Sequence, residues 1–354
     1  MANLPNYAVS PGEHIQEWLD DRHLNAAELA RRLGVTPKHV SELLSGKAPL
    51  SAKLALGLER VTGTPARLWN SIEAGYREDL ARLAEEESLV QQYDQAKQFP
   101  LAYLRKWGYI SATSRDKAGT VRELLSIFRI GNLNSFDATW AHSKVAYRKA
   151  TLNGDKTFER ATWLALGEQA AAIEELPEFD RKQLEAMVTD LRSLTANPNP
   201  VVAIAEAQAM LRNVGVGLCL VPPIPGFGVH GATRWILGRP IVQLSVRGKK
   251  DDQLWFTLFH ELGHVLLHDH NSIFMQGSGS REEFEADVYA ATTLVPDEYR
   301  DRLPANRNIR TVRELAKELG VAPSIVLGQT QKATGDFAWG HELKVTLEWD
   351  MGSK

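Results

Sequence analysis

The run Trp255-Phe256-Thr257-Leu258-Phe259-His260-Glu261-Leu262-Gly263-His264-Val265-Leu266-Leu267 sets an H-E-x-x-H pattern inside an otherwise apolar stretch. No other feature of the chain constrains its fold so tightly. Positions i and i+4 of a helix lie one turn apart on the same face, so His260 and His264 reach a common point if this run is helical. The flanking apolar residues bury that helix, and two imidazoles and a carboxylate buried without partners would be costly. A metal ion resolves the cost. The spacing therefore predicts a buried helix carrying two zinc ligands, with Glu261 directed at a water as general base, the pattern of metal-assisted peptide hydrolysis.

Two histidines supply half of a tetrahedral site, so a third ligand must come from elsewhere. His270 stands six residues after His264, as in the longer pattern that turns through a glycine, but Leu267 occupies the glycine position. The better source follows the loop Gln276-Gly277-Ser278-Gly279-Ser280. There Arg281-Glu282-Glu283-Phe284-Glu285-Ala286-Asp287-Val288-Tyr289-Ala290-Ala291 can form a second helix, with small Ala286 and Ala290 allowing close approach. Glu283 and Asp287 are i and i+4 on it, so Glu283 can complete the site while Asp287 hydrogen-bonds a ligand histidine. Glu285 and Glu282 stay open as alternative ligands. His268, another turn along the same face, reads as a helix-end group or a hydrogen-bond partner of a ligand histidine, and Tyr289, His268 and His230 are candidates for stabilising an oxyanion. Cys219, in the apolar strand-like run Val214 to Val221, reads as an inert core thiol.

Length and punctuation place this site in a larger plan. A chain of 354 residues exceeds one ordinary core. No run approaches the roughly 18 apolar residues of a membrane helix, no signal pattern opens the sequence, and a single cysteine fits a reducing compartment, so a cytoplasmic protein is expected. The net charge of -3 argues against indiscriminate coating of nucleic acid and leaves room for a local DNA-reading face. From Ser10 to about Leu83 the pattern is of short amphipathic helices. Ser10-Pro11 starts the first, Asn25 caps Ala26 to Leu33, and Gly34-Val35-Thr36 turns into a third that begins at Pro37. This spacing predicts a helix-turn-helix, with Thr36, Lys38, His39, Ser41, Glu42 and Lys47 facing bases or phosphates.

The wording of this module, Ser10-Pro11-Gly12-Glu13, Leu29-Ala30-Arg31-Arg32-Leu33-Gly34-Val35-Thr36-Pro37, Ser41-Glu42-Leu43-Leu44-Ser45-Gly46-Lys47 and Gly63-Thr64-Pro65-Ala66-Arg67-Leu68-Trp69, resembles the HigA-type antitoxins of the Xre (Cro/cI-like) helix-turn-helix superfamily. The resemblance implies a lambda-repressor-like helical domain, a homodimer on a palindromic operator and, in many members, a cognate toxin. The run His260 to His268, the run Glu283 to Ala291 and Leu294-Val295-Pro296 together resemble the ImmA/IrrE metallopeptidases. That resemblance implies a zincin-like domain that cleaves a helix-turn-helix repressor.

The expected fold is thus mainly α with a small β-sheet (α+β). The helix-turn-helix domain is expected at 1–83, a helical middle region at 84–200 bounded by Asn197-Pro198-Asn199-Pro200, and the metallopeptidase domain at 201–354. Within the last, Thr233 to Leu237 and Arg239 to Leu244 read as a hairpin around Gly238. Thr311 to Gln331 reads as a second, structural helix-turn-helix, and Lys344 to Trp349 as a possible edge strand. The expected function is a DNA-binding regulator whose zinc endopeptidase cleaves a regulatory protein or itself. The alternative is an antitoxin or repressor whose metal domain is a non-proteolytic sensor or scaffold.

Overall fold

The computed structural model describes residues 7–141, 156–171, 173–268, 274–275, 280–304 and 306–349. Among them no helix is long and apolar enough to cross a membrane. The chain divides into two compact units, residues 1–93 with 113–121, and residues 94–112 with 122–354.

The first unit is helical: α1 Pro11–Asp21, α2 Ala26–Leu33, α3 Pro37–Leu44, α4 Ala52–Thr62 and α5 Ala66–Gln91. Ser10 and Glu13 form a capping box at the start of α1, each side chain bonding the other's backbone N–H (3.3 and 3.0 Å). A methyl group on Gly12 would lie 2.4 Å from the carbonyl oxygen of Leu44, so α1 meets the end of α3 at a distance only glycine permits. Gly34 closes α2 in the left-handed conformation at φ 67°, its N–H reaching back to Ala30 and Arg31. Ile15, Leu19, Leu29, Val40, Leu43, Leu58 and Trp69 fill the core beneath. α5 runs unbroken through Leu83, so the module and the segment expected to follow it share one helix of 26 residues.

The helices α6 Tyr93–Ala96, α7 Leu101–Lys106 and α8 Lys117–Phe128 lead onward to α9 Thr157–Ala170, α10 Arg181–Ser193 and α11 Pro200–Asn213. In the second unit a four-stranded sheet is built from β1 Gly217–Leu220, β2 Gly231–Ile236, β3 Arg239–Leu244 and β4 Phe274–Met275. Its order is β1-β3-β2-β4, with β1 parallel to β3 and the other pairings antiparallel. The helices α12 Asp251–Leu267, α13 Arg281–Leu294, α14 Ile309–Leu319 and α15 Pro323–Thr334 complete the unit.

The sheet is covered on both faces. On one side α9 packs with seven consecutive buried residues, Ala161 to Gly167, and receives hydrogen bonds from Gln243 to the Trp163 carbonyl (2.6 Å) and from Arg234 to the Leu164 carbonyl. On the other lies α12, reached by Thr233. Residues expected to be a separate helical middle region thus form one wall of the layer that holds the H-E-x-x-H helix.

The second helix-turn-helix repeats the first in detail. Gly320 closes α14 at φ 66° as Gly34 closes α2 at 67°. Here, however, the following helix is sunk into the core: Ile325, Val326, Leu327, Gln329, Thr330 and Gln331 of α15 are all buried. It is a structural pair, as expected. The tail differs from expectation, because it adds no strand to the sheet. Thr346 makes an isolated bridge with Lys250, and Val345 bonds Asp251, whose side chain also accepts from Ser324 (2.6 Å). Lys344 pairs with buried Asp252 at 2.6 Å. The tail therefore clamps the first turn of α12, where two acids already favour the helix dipole.

Candidate metal centre and helix-turn-helix face

The helix α12 is buried from Thr257 through Leu266 because the sheet, α13 and α15 close around it. Gly263 permits the close approach of α13: a methyl group there would lie 3.1 Å from the Tyr289 ring and 3.2 Å from the Ala286 Cα. That close packing brings the first turn of α13, capped by Ser280 through the Glu283 N–H (3.3 Å), beside the two histidines.

His260, His264 and Glu283 converge there, each offering one donor atom within 4.8 Å of the others. The Nε2 atoms of the histidines are 3.2 Å apart; His264 Nε2 lies 3.2 Å from Glu283 Oε1, and His260 Nε2 lies 3.6 Å from Oε2. Zinc bonds of about 2.0–2.1 Å at tetrahedral angles put donor atoms about 3.3 Å apart, so these edges match the donor set of one small dication. Glu261 stands beside the group, fully buried. Its Oε2 accepts the hydroxyl proton of Thr233 at 2.8 Å, and its Oε1 has no hydrogen-bond partner among the described residues. The residues present thus fit a divalent metal and a carboxylate kept ready beside it.

Each histidine is held from behind. His260 Nδ1 lies 2.9 Å from Asp287 Oδ1, and Lys332 stands 3.7 Å from the other oxygen of that carboxylate. His264 Nδ1 lies 2.9 Å from His268 Nδ1, while His268 Nε2 is 3.1 Å from Glu285 Oε2, itself bound by Arg281 at 2.7 Å. Burial opposes charge on His260, but the carboxylates of Asp287, Glu283 and Glu261 outweigh it and raise its pKa to about 10. Burial, reinforced by the neighbouring charge of His260, pushes His264 down to about 4. Two imidazoles this close cannot both be cationic, which is why their shifts diverge. Burial also works against ionised Glu283, yet the two histidines hold it down to about 2. Glu261, whose burial dominates, is pushed up to about 8 despite His260 and Thr233.

The expected alternatives lie elsewhere. Glu285 is engaged with His268 and Arg281, and Glu282 is outside the convergent group. His270 lies outside the described residues. Tyr289 packs its ring against Gly263, and burial raises its pKa to about 12. His268 is committed to His264. His230 lines a cavity of about 580 Å³ with Phe256, Thr257, Ile325, Gln329 and Lys332, along the face of α12 one turn before His260. Cys219 is buried, with its thiol pushed up to about 12 by burial. Thr233 had no signal in the sequence, since a threonine in a strand is ordinary.

In the first unit, Thr36, Lys38, Ser41 and Lys47 are exposed, and His39 and Glu42 half-buried, on or just after α3. Thr36 caps the helix by accepting the His39 N–H at 3.2 Å. Lys38 stands 3.8 Å from Glu42 on the outer face.

Two family models match parts of the chain. Residues 15–69 match the helix-turn-helix family model, and residues 220–327 match the IrrE N-terminal-like domain, a peptidase family. Over 73 residues, 21% of this chain and 73% of the relative, the sequence is 37% identical to the HTH-type transcriptional regulator YddM of Escherichia coli. Virulence-associated protein A' of Dichelobacter nodosus is 35% identical over 87 residues, 24% of this chain and 70% of the relative. Virulence-associated protein I of the same organism is 33% identical over 70 residues, 20% of this chain and 65% of the relative.

Proposed function

The chain belongs to the helix-turn-helix transcriptional regulators and carries an IrrE N-terminal-like domain behind its DNA-binding module, and from that premise we propose that it is a zinc-dependent endopeptidase that cleaves a regulatory protein. The observation that carries this reading is the convergence of His260, His264 and Glu283 beside the unpartnered Oε1 of Glu261. We read residues 1–83 as the operator-binding module, 84–200 as a helical linker and middle region and 201–354 as the peptidase, working as a homodimer on operator DNA. The substrate is a helix-turn-helix repressor, a cognate toxin or the protein itself.

In this mechanism His260, His264 and Glu283 would hold the metal, and zinc bound there would supply Lewis-acid polarisation of a water and of the peptide carbonyl. Glu261 would accept the proton of the attacking water and pass it to the leaving amine, and burial raises its pKa above the ordinary carboxylate range. Thr233 holds Oε2, so that Oε1 is the oxygen available for that transfer. The apolar wall of Phe256 and Ile325 in the adjoining cavity suits a substrate side chain next to the scissile bond.

The test is Glu261→Gln, which retains the shape of the side chain and removes the base. Zinc stoichiometry is expected to stay at the wild-type value while cleavage of the regulated protein falls by about 10²–10⁴-fold. Wild-type regulation in cells carrying Glu261→Gln would sink the peptidase reading and leave an operator-binding repressor or antitoxin.

A further inference from the structure

We propose that His268, backed by Glu285, is a positioning residue that holds His264 in the tautomer presenting Nε2 to the metal. The inference rests on the reading of His260, His264 and Glu283 as a metal centre. It starts from a hydrogen bond that can be made in one sense only. Glu285 Oε2 lies 3.1 Å from His268 Nε2, and an ionised carboxylate is solely an acceptor, so His268 Nε2 carries the proton. Arg281 Nε pairs with the other oxygen of that carboxylate at 2.7 Å. When a metal takes the Nε2 lone pair of His264, the single proton of that ring sits on Nδ1, and His268 Nδ1 has to be the acceptor. The 2.9 Å contact between the two Nδ1 atoms must then be donated by His264. With its proton on Nδ1, His264 has its lone pair on Nε2, the atom lying 3.2 Å from both His260 Nε2 and Glu283 Oε1.

The same result is reached at His260 by a shorter route, since Asp287 accepts directly from Nδ1. The two ligand histidines are therefore set by different devices: a carboxylate on one, an imidazole with a carboxylate behind it on the other. The arrangement also joins the helices. His268 ends α12, one turn after His264, whereas Arg281 and Glu285 belong to the first turns of α13, which delivers Glu283. The same segment that supplies the third donor thus fixes the orientation of the second. His268 is enclosed, its side chain 6% exposed, so its ring is not free to turn to water instead.

Partners of this kind behind a metal ligand typically change affinity by about 10- to 100-fold. Zinc affinity of the full-length protein, measured by chelator competition, should fall by that factor in His268→Leu, which retains apolar bulk and removes the acceptor. It should recover most of the way in His268→Asn, whose amide oxygen can take the place of Nδ1. Glu285→Leu leaves His268 in place but releases its ring, and should weaken zinc binding by a smaller factor; it decides the matter if His268→Leu fails to fold by circular dichroism. Equal affinity in wild type, His268→Leu and Glu285→Leu overturns the role, as does a loss in His268→Leu that His268→Asn does not restore, because packing alone would then be responsible. A wild-type protein that takes up no zinc overturns the metal centre itself, a result separate from any difference among the variants.

Discussion

At Gly231 the backbone of β2 lies directly against the Glu261 carboxylate. A methyl group there would stand 2.5 Å from Oε1 and 2.7 Å from the Thr257 Cγ2, well inside van der Waals contact. The Glu261 carboxylate must move to admit it, whereas the three convergent donors need not. Gly231→Ala is accordingly expected to lower peptide cleavage by about 100-fold, the usual cost of misplacing a reacting group by about an ångström, and to leave zinc content unchanged. Loss of zinc from this variant would show that the base and the metal donors shift together. The motif residues were legible because H-E-x-x-H has a fixed helical geometry. Gly231 and Thr233 were not, because neither carries a signal beyond an ordinary strand until β2 is laid across α12. Among the three acids of Glu282, Glu283 and Glu285 the spacing alone left the choice open. The rotation of α13 against α12 directs Glu283 inward and leaves Glu285 to His268.

The elements show where periodicity sufficed and where it failed. The β2–β3 hairpin was legible, and its register closes on the two-residue turn Leu237-Gly238 with both residues at positive φ (51° and 75°). Such turns favour Asn-Gly, because leucine in the left-handed region is strained and Leu237 is 72% exposed with nothing to pack against that would repay it. Leu237→Asn should stabilise the second unit by about 0.5–1 kcal/mol, read as a raised Tm in thermal unfolding of the zinc-free protein. An unchanged or lowered Tm would refute that account of the turn. The tail reads as a strand through its alternation, but alternation does not say which edge it meets. It pairs with the start of α12 instead of the sheet. In α9 an unbroken buried run hides amphipathic period altogether, so its role as one face of the sheet could not be read from pattern.

At the scale of the molecule, two nearly identical helix-turn-helix pairs have different fates. In the first, the helix after the turn keeps a polar outer face; in the second, α15 is buried along most of its length. Only the first can enter a groove. Lys38→Ala and Lys47→Ala should each weaken binding to operator and non-operator DNA alike, and reduce the slope of affinity against salt by about one unit. Lys317→Ala, in the last turn of α14, should leave both unchanged. Equal losses from all three would place DNA binding on the wrong pair.

By itself, the sequence determined the helical pairs, the hairpin, the H-E-x-x-H helix and the resemblance to two families, because capping residues, turn glycines and i, i+4 spacing act over a few residues. Tertiary structure alone decided which acid meets the histidines, which threonine holds Glu261 and which helix pair is buried. Those outcomes depend on how α13, β2 and α15 are placed against α12, and that placement comes from many weak contacts between residues far apart in the chain.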